Sequence, residues 1–308
     1  MRLVFAGTPA AALPSLAAIA ASDHEVVGVV TRPDAPVGRG RRLAPSPVAE
    51  AASALGIQAV KPVSSRDPDF LAWLHSLAPN CCPVVAYGGL LPRQALEIPP
   101  SGWVNLHFSL LPAWRGAAPV QRSILAGDEV TGATTFRLVE ELDAGPTYGL
   151  LTETIKPDDT AGSLLARLAQ HGADLLVATL DGIEDGSLDQ RAQLETGLSW
   201  APKLSTEDAE IRWDAPAVAV DRQVRACTPS PGAWTVIAGQ RCKVGPVSIP
   251  PNSDSLPAGH LRITKSAVLV GTATQLVELG EVRPAGKPAM RAADWARGLR
   301  EVPGKVGS

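Results

Sequence analysis

In the stretch NLHFS, Asn105, His107 and Ser109 place an amide, an imidazole and a hydroxyl at every second position, where an apolar run ends. In an extended chain, alternate residues share one face, so the three are expected to point the same way. A second polar strand end follows in TTFRLVEELDAG, where Asp143 precedes Ala144-Gly145. If these two strands lie side by side, the amide, the imidazole and the carboxylate meet at one edge of a sheet. That set suits transfer of an acyl or formyl group to an amine. Asn105 and His107 can each donate an N–H to the oxygen on which negative charge develops, a donor typically worth about 3 kcal/mol. Asp143, coupled to His107, can shuttle the proton the amine must lose, an effect of roughly 10²–10⁴ in rate. No nucleophile-elbow serine is present, which argues against a covalent hydrolase. Five scattered histidines do not form a ligand set, so no metal is expected.

These side chains need elements to hold them. RLVFAG reads as a strand, AAALPSLAAIAAS as a helix and EVVGVVT as a strand. SPVAEAASALG then reads as a helix, IQAVKP as a short strand and DPDFLAWLHSLA as a helix capped by Asp67. CCPVVAYG and GWVNLHF are further strands. Short β-rich runs separated by helices predict an α/β fold, a Rossmann-like, mostly parallel sheet with helices on both faces. Ligand sites in such sheets lie at the carboxyl ends of the strands, which is where Asn105 and His107 fall. APVQRSILAG reads as a helix, and TYGLLTETI as a strand returning beside the Asp143 strand. TAGSLLARLAQHGADLLVATLDGI follows as a long amphipathic helix. Residues 1–185 are thus expected to form the catalytic domain. Residues 186–204 lack a period and read as a linker. Residues 205–308 change to short alternating strands and predict a small, OB-like β-barrel closed by the helix PAMRAADWARGLR.

The totals agree with a globular, cytoplasmic protein. Of the 308 residues 45% are hydrophobic, and no apolar run approaches the span of a bilayer. The first residues superficially resemble a signal peptide, but Gly7-Thr8-Pro9 breaks the apolar stretch directly after a strand, and a strand-turn-helix is expected instead. Cys81, Cys82, Cys227 and Cys242 show neither zinc spacing nor a disulfide framework, consistent with a reducing compartment. A monomer is expected. Residues 1–204 carry 15 basic and 21 acidic side chains, and residues 205–308 carry 13 and 10. The sign of the net charge therefore reverses, from −6 to +3, which hints at an anionic partner for the second part.

The segments VFAGTP, RPDAPVGRGRRLAPSPV, VVAYGGLLP, NLHFSLLPAWRGAAPVQRSILAGD, LDAG, APKLSTEDAEIRW and VRACTPSPGAW run through nearly the whole chain. Together they resemble the folate-dependent formyltransferases. The combination of GRGRRLAPSPV with the second domain points to the branch that formylates methionyl-tRNA. The resemblance implies 10-formyltetrahydrofolate as donor and the α-amino group of initiator methionyl-tRNA as acceptor. It places Asn105, His107 and Asp143 on the family's catalytic positions and Ser109, Leu110, Leu111 and Pro112 on its folate-binding loop. It also implies that Ala86 to Pro92, with Tyr87, Gly88 and Leu90, wall the pterin. The chain departs from the family pattern at Ala144 and Pro146, and CTPSPGAW matches it loosely. A sibling enzyme acting on a sugar-nucleotide or purine-precursor amine is the alternative. A nicotinamide dehydrogenase would need a G-x-G-x-x-G turn, and AGTPAAALP has a single glycine.

Arg32, Arg39, Arg41 and Arg42 sit among glycines and prolines that disfavour regular structure. They read as a flexible arm that orders on an acceptor stem through phosphate pairing and base-edge contact. The resemblance places Arg39 at the position most involved in recognising the acceptor end. Arg241, Lys243, Arg262, Lys265, Arg283, Lys287 and Arg291 would give the barrel a positive face that can track a phosphate backbone.

Overall fold

The computed structural model describes residues 1–37, 40, 42–237, 239–251, 255–299 and 304–307. In chain order the first elements are β1 (Arg2–Gly7), α1 (Leu13–Ala20), β2 (Glu25–Val30), β3 (Ala35–Val37), β4 (Arg42–Ala44), α2 (Pro47–Ala54), β5 (Ala59–Val60) and α3 (Pro68–Leu77). There follow β6 (Cys82–Val85), α4 (Arg93–Leu96), β7 (Trp103–His107), α5 (Pro119–Ala126), β8 (Val130–Arg137), β9 (Thr147–Thr154) and α6 (Ala161–Glu184). The last part contains α7 (Ala217–Ala226), β10 (Trp234–Ile237), β11 (Gln240–Val244), β12 (Val247–Ser248), β13 (Leu261–Ile263) and β14 (Val268–Gly271). It ends with β15 (Leu276–Leu279), β16 (Glu281–Pro284), β17 (Met290–Arg291) and α8 (Ala292–Arg297).

Two compact units divide the chain. The first comprises 1–119, 130–154 and 165–201, and the second 120–129, 155–164 and 202–308. The first unit is built on a seven-stranded sheet in the order β5-β2-β1-β6-β7-β8-β9. Its first five strands are parallel, while β8 runs antiparallel to both β7 and β9. Strand order reverses between β1 and β6, the kind of switch point at which open α/β sheets leave a crevice. Buried Val4, Ala6, Val84, Phe70, Leu74 and Trp103 form a core between this sheet and α3.

The period of two in β7 decides which side chains reach solvent. Leu106 faces α6: a Cβ added to Gly172 of that helix would lie 2.9 Å from Leu106 Cδ2. Glycine costs a helix interior about 1 kcal/mol relative to alanine, and here its missing side chain lets α6 approach the sheet. Asn105 and His107 consequently face the opposite way. Asp67 caps α3, accepting from Asp69 N at 3.0 Å, and Ser46 caps α2 from Ala49 N.

The strand expected to end at Asp143 stops at Arg137, and residues 138–145 form a loop instead. Arg137 N bonds Pro146 O at 2.9 Å and closes the loop at its base. A Cβ at Gly145 would meet Arg137 O at 1.7 Å, so only glycine fits this closure. The alternation of LVEELD thus belongs to a loop whose ends are pinned.

In the second unit the antiparallel sheets β10-β11-β16-β17 and β12-β15-β14-β13 contribute to one core with α7 and α8. Trp213, Val224, Val244, Val268, Val270 and Val282 are among its buried residues. All four cysteines are free and buried. Burial pushes the Cys81 thiol up to about 12, which leaves it inert.

Candidate active site

A cleft of about 630 Å³ opens in the first unit where β6 and β7 end, within the range of small-molecule pockets. One wall is the segment after β6, Ala86 to Pro92. Thr8, directly after β1, donates its hydroxyl to Tyr87 O at 2.8 Å and ties this segment to the switch point. Gly88 has φ 76°, while Leu90 stands 85% exposed at the rim. Burial pushes the Tyr87 phenol up, so it stays neutral. The opposite wall is the pinned loop, Leu138 to Asp143, and the floor is Asn105 to Phe108.

His107 is buried beside Phe136, its ring edge-on to the phenyl ring at 6.3 Å between centroids. Its Nε2 lies 2.9 Å from Trp114 O. A carbonyl only accepts, so Nε2 carries the hydrogen and Nδ1 is left bare in the neutral ring. Nδ1 is 3.8 Å from Asp143 Oδ2. Burial holds the imidazole below its ordinary 6.5, against the opposing pull of the Asp143 charge and the Trp114 carbonyl. Neutral imidazole is therefore the resting form near pH 7. Asp143, also buried, is oriented by Gly116 N, which donates to Oδ2 at 2.8 Å. The half-buried Asn105 makes no side-chain hydrogen bond to another described residue and lines the cleft with its amide available.

Ala86, Trp114 and Asp143, three of the four non-glycine residues with positive φ among the described residues, lie in or against this cleft. Such backbone costs roughly 1–3 kcal/mol per residue and persists where surrounding contacts over-determine it. Here it turns the Trp114 carbonyl toward His107 and the Asp143 carboxylate toward the ring.

The structure brings together Asn105, His107, Asp143, Tyr87, Gly88 and Leu90. It places Ser109, Leu110, Leu111 and Pro112 outside the cleft lining. Ser109 does not continue the face of Asn105 and His107, because β7 ends at His107. Its buried hydroxyl donates to Ala113 O at 2.6 Å, its own carbonyl accepts from Thr134 Oγ1, and Thr134 Oγ1 in turn accepts from Leu111 N. That latch fastens the turn preceding Trp114 to β8. Sequence reasoning missed the Trp114 carbonyl, the Gly116 N–H, Arg66 on the cleft wall and the loop residues Leu138 to Leu142; backbone groups leave no trace in residue type.

Arg39 and Arg41 lie outside the described residues. Arg42 is exposed on β4, which pairs antiparallel with β3, and Val37 and Leu43 of these two strands are exposed as well. In the second unit Lys243 and Arg283 stand opposite each other across β11 and β16. Arg241 lies over the Trp234 ring at 3.6 Å. Arg262 is on the other sheet, and Arg291 pairs in register with Glu281. Lys265 and Lys287 follow β13 and β16 in the chain.

A Rossmann-like sheet with an amide, a neutral imidazole and a carboxylate gathered in one cleft is the architecture of an enzyme that moves a carbonyl-level group. The family model "Formyl transferase" matches residues 1–180, and "Formyl transferase, C-terminal domain" matches residues 203–300. The chain belongs to the formyl transferase family. The methionyl-tRNA formyltransferase of a Nocardioides species is 64% identical over 302 residues, covering 97% of this chain and 96% of the relative. That of Thermobifida fusca is 62% identical over 300 residues, 97% of each chain. Among solved structures, an N-formyltransferase from Helicobacter canadensis, in complex with folinic acid and dTDP-3-aminofucose, matches with a TM-score of 0.69 at 16% identity. The match covers 90% of this chain and 97% of that one. No described helix is long and apolar enough to cross a membrane.

Proposed function

We propose that this chain transfers the formyl group of 10-formyltetrahydrofolate to the α-amino group of initiator methionyl-tRNA, in the cytoplasm. The observation that carries the reading is the convergence of Asn105, His107 and Asp143 on one cleft. The acceptor is drawn from relatives above 60% identity that bear the name methionyl-tRNA formyltransferase over almost their full length. The donor suits the cleft, whose Ala86 to Pro92 wall offers apolar groups and open backbone to a flat heterocycle.

Asn105 donates its amide N–H to the formyl oxygen as the amine attacks and negative charge develops there. The bare Nδ1 of His107 and the Asp143 carboxylate take the proton released by the attacking nitrogen. Once protonated at Nδ1, His107 becomes a second donor to the oxyanion, a role that the resting tautomer does not fill because its one N–H is held by Trp114. When the carbon–nitrogen bond to the donor breaks, the pair returns the proton to the leaving nitrogen. Ser109 to Pro112 act by fixing the turn that presents the Trp114 carbonyl. Arg39, Arg41 and Arg42, with the Arg241, Lys243 and Arg283 face, supply cations for the tRNA backbone, so residues 1–185 carry the chemistry and 205–308 help hold the RNA.

The test is to incubate the protein with donor labelled in the formyl carbon and, separately, methionyl-tRNA or an amino-sugar nucleotide. Label on the methionyl nitrogen supports the reading. Label on the sugar alone would assign the chain to the sibling activity.

A further inference from the structure

Gln193 lies in the stretch 186–204, which has no period, yet its side-chain amide is fully engaged. Oε1 accepts from Arg115 Nε at 3.1 Å and from Nη2 at 2.7 Å. Nε2 donates to Asp143 O and to Gly145 O, both at 2.8 Å. Guanidinium only donates and carbonyls only accept, so the amide has a single permitted orientation. Arg115 is itself nine-tenths buried and gripped by the same segment: its N donates to Ser199 O at 2.9 Å, and its O accepts from Ala201 N at 2.7 Å. Its Nη1 also stands 3.5 Å from Glu141 Oε1. Trp114, whose carbonyl fixes the His107 tautomer, donates its N–H to Ser199 Oγ at 2.9 Å. One extended segment therefore holds both partners of the His107–Asp143 pair, and Gln193 is the side chain that reaches the carbonyls on either side of Ala144.

We propose that Gln193 is a positioning residue for formyl transfer: it pins the backbone of Asp143 in its left-handed conformation and so sets the carboxylate against His107. The assignment rests on the reaction proposed above. Without the two donated bonds, Asp143, at φ 50°, is free to relax and carry its carboxylate away from Nδ1.

Two variants test this. Gln193→Ala removes all four bonds. Gln193→Glu keeps a partner for Arg115 but offers lone pairs, not hydrogens, to the two carbonyls. Both should lower kcat roughly a hundredfold, the scale of an ångström-sized misplacement of a reacting group, while the KM values for donor and methionyl-tRNA change less than about twofold. The second readout needs no substrate. Asp143 is the charge that favours protonated His107, so the midpoint of the His107 ring titration, followed by NMR and identified with a His107→Ala control, should fall in Gln193→Ala, the variant that brings no charge of its own. Because this titration is independent of the reaction, a fallen midpoint supports the positioning role whatever acceptor is used. A wild-type kcat in either variant, or an unmoved His107 midpoint in a folded Gln193→Ala protein, would overturn it.

Discussion

At the scale of single residues, His107 is tuned by two opposing forces. Burial favours the neutral ring, whereas Asp143 and the Trp114 carbonyl favour the charged one, and burial prevails. The neutral form, with Nδ1 free to accept, therefore persists below the ordinary value of 6.5. The acid limb of kcat/KM against pH should accordingly fall below pH 6.5, and a limb centred above that value would contradict the assignment. The same shift links to stability. Between the lowered folded value and 6.5 the unfolded chain binds the extra proton, so folding should weaken as pH drops through that window and level off beneath it. Asn105 and His107 were legible in the sequence because a period of two puts them on one face. Ser109 continued that pattern in letters only. The strand ends two residues earlier, and its hydroxyl turns inward to fasten a turn.

At the scale of elements, the wall carrying Asp143 is a loop whose two ends meet at Arg137 and Pro146. The alternation of TTFRLVEELD looked like one long strand because exposed loop residues and outward strand residues are polar for the same reason, contact with water. Nothing in composition marked the point where pairing with β7 stops. Gly145 was the readable sign, since its missing side chain lets the loop close on Arg137 O. Gly145→Ala should cost about 1–3 kcal/mol of overpacking strain and lower formyl transfer more than tenfold, read by thermal melting and steady-state turnover. A variant with wild-type melting and rate would show that the closure is not needed. The stretch 186–204 was opaque for a different reason. Its hydrogen bonds are to distant loops, through Gln193 and Ser199, and such partners leave no local period.

At the scale of the whole molecule, the order of the sheet follows from alternating strands and helices, and the parallel part was readable throughout. The second unit, expected as a small antiparallel barrel, is strand-rich and antiparallel, with two four-stranded sheets sharing one core. The exposed cations Arg42, Arg241, Lys243 and Arg283 lie outside the cleft, whose lining sets Arg66 against Glu140, Glu141 and Asp143, so acceptor binding should depend on salt more steeply than donor binding. Raising salt from 50 to 200 mM, a range over which phosphate contacts release counterions at roughly 0.9 per contact, should raise the KM for methionyl-tRNA several-fold and that for the donor much less. Parallel changes in both constants would place the cations elsewhere in the mechanism. The most direct measurement of all is a single-turnover assay of Asp143→Ala with bound methionyl-tRNA and saturating donor. Formyl transfer should slow by roughly 10²–10⁴, with the Kd for methionyl-tRNA within about twofold of wild type. Transfer at the wild-type rate would contradict the assignment of Asp143 and His107 as the proton-handling pair.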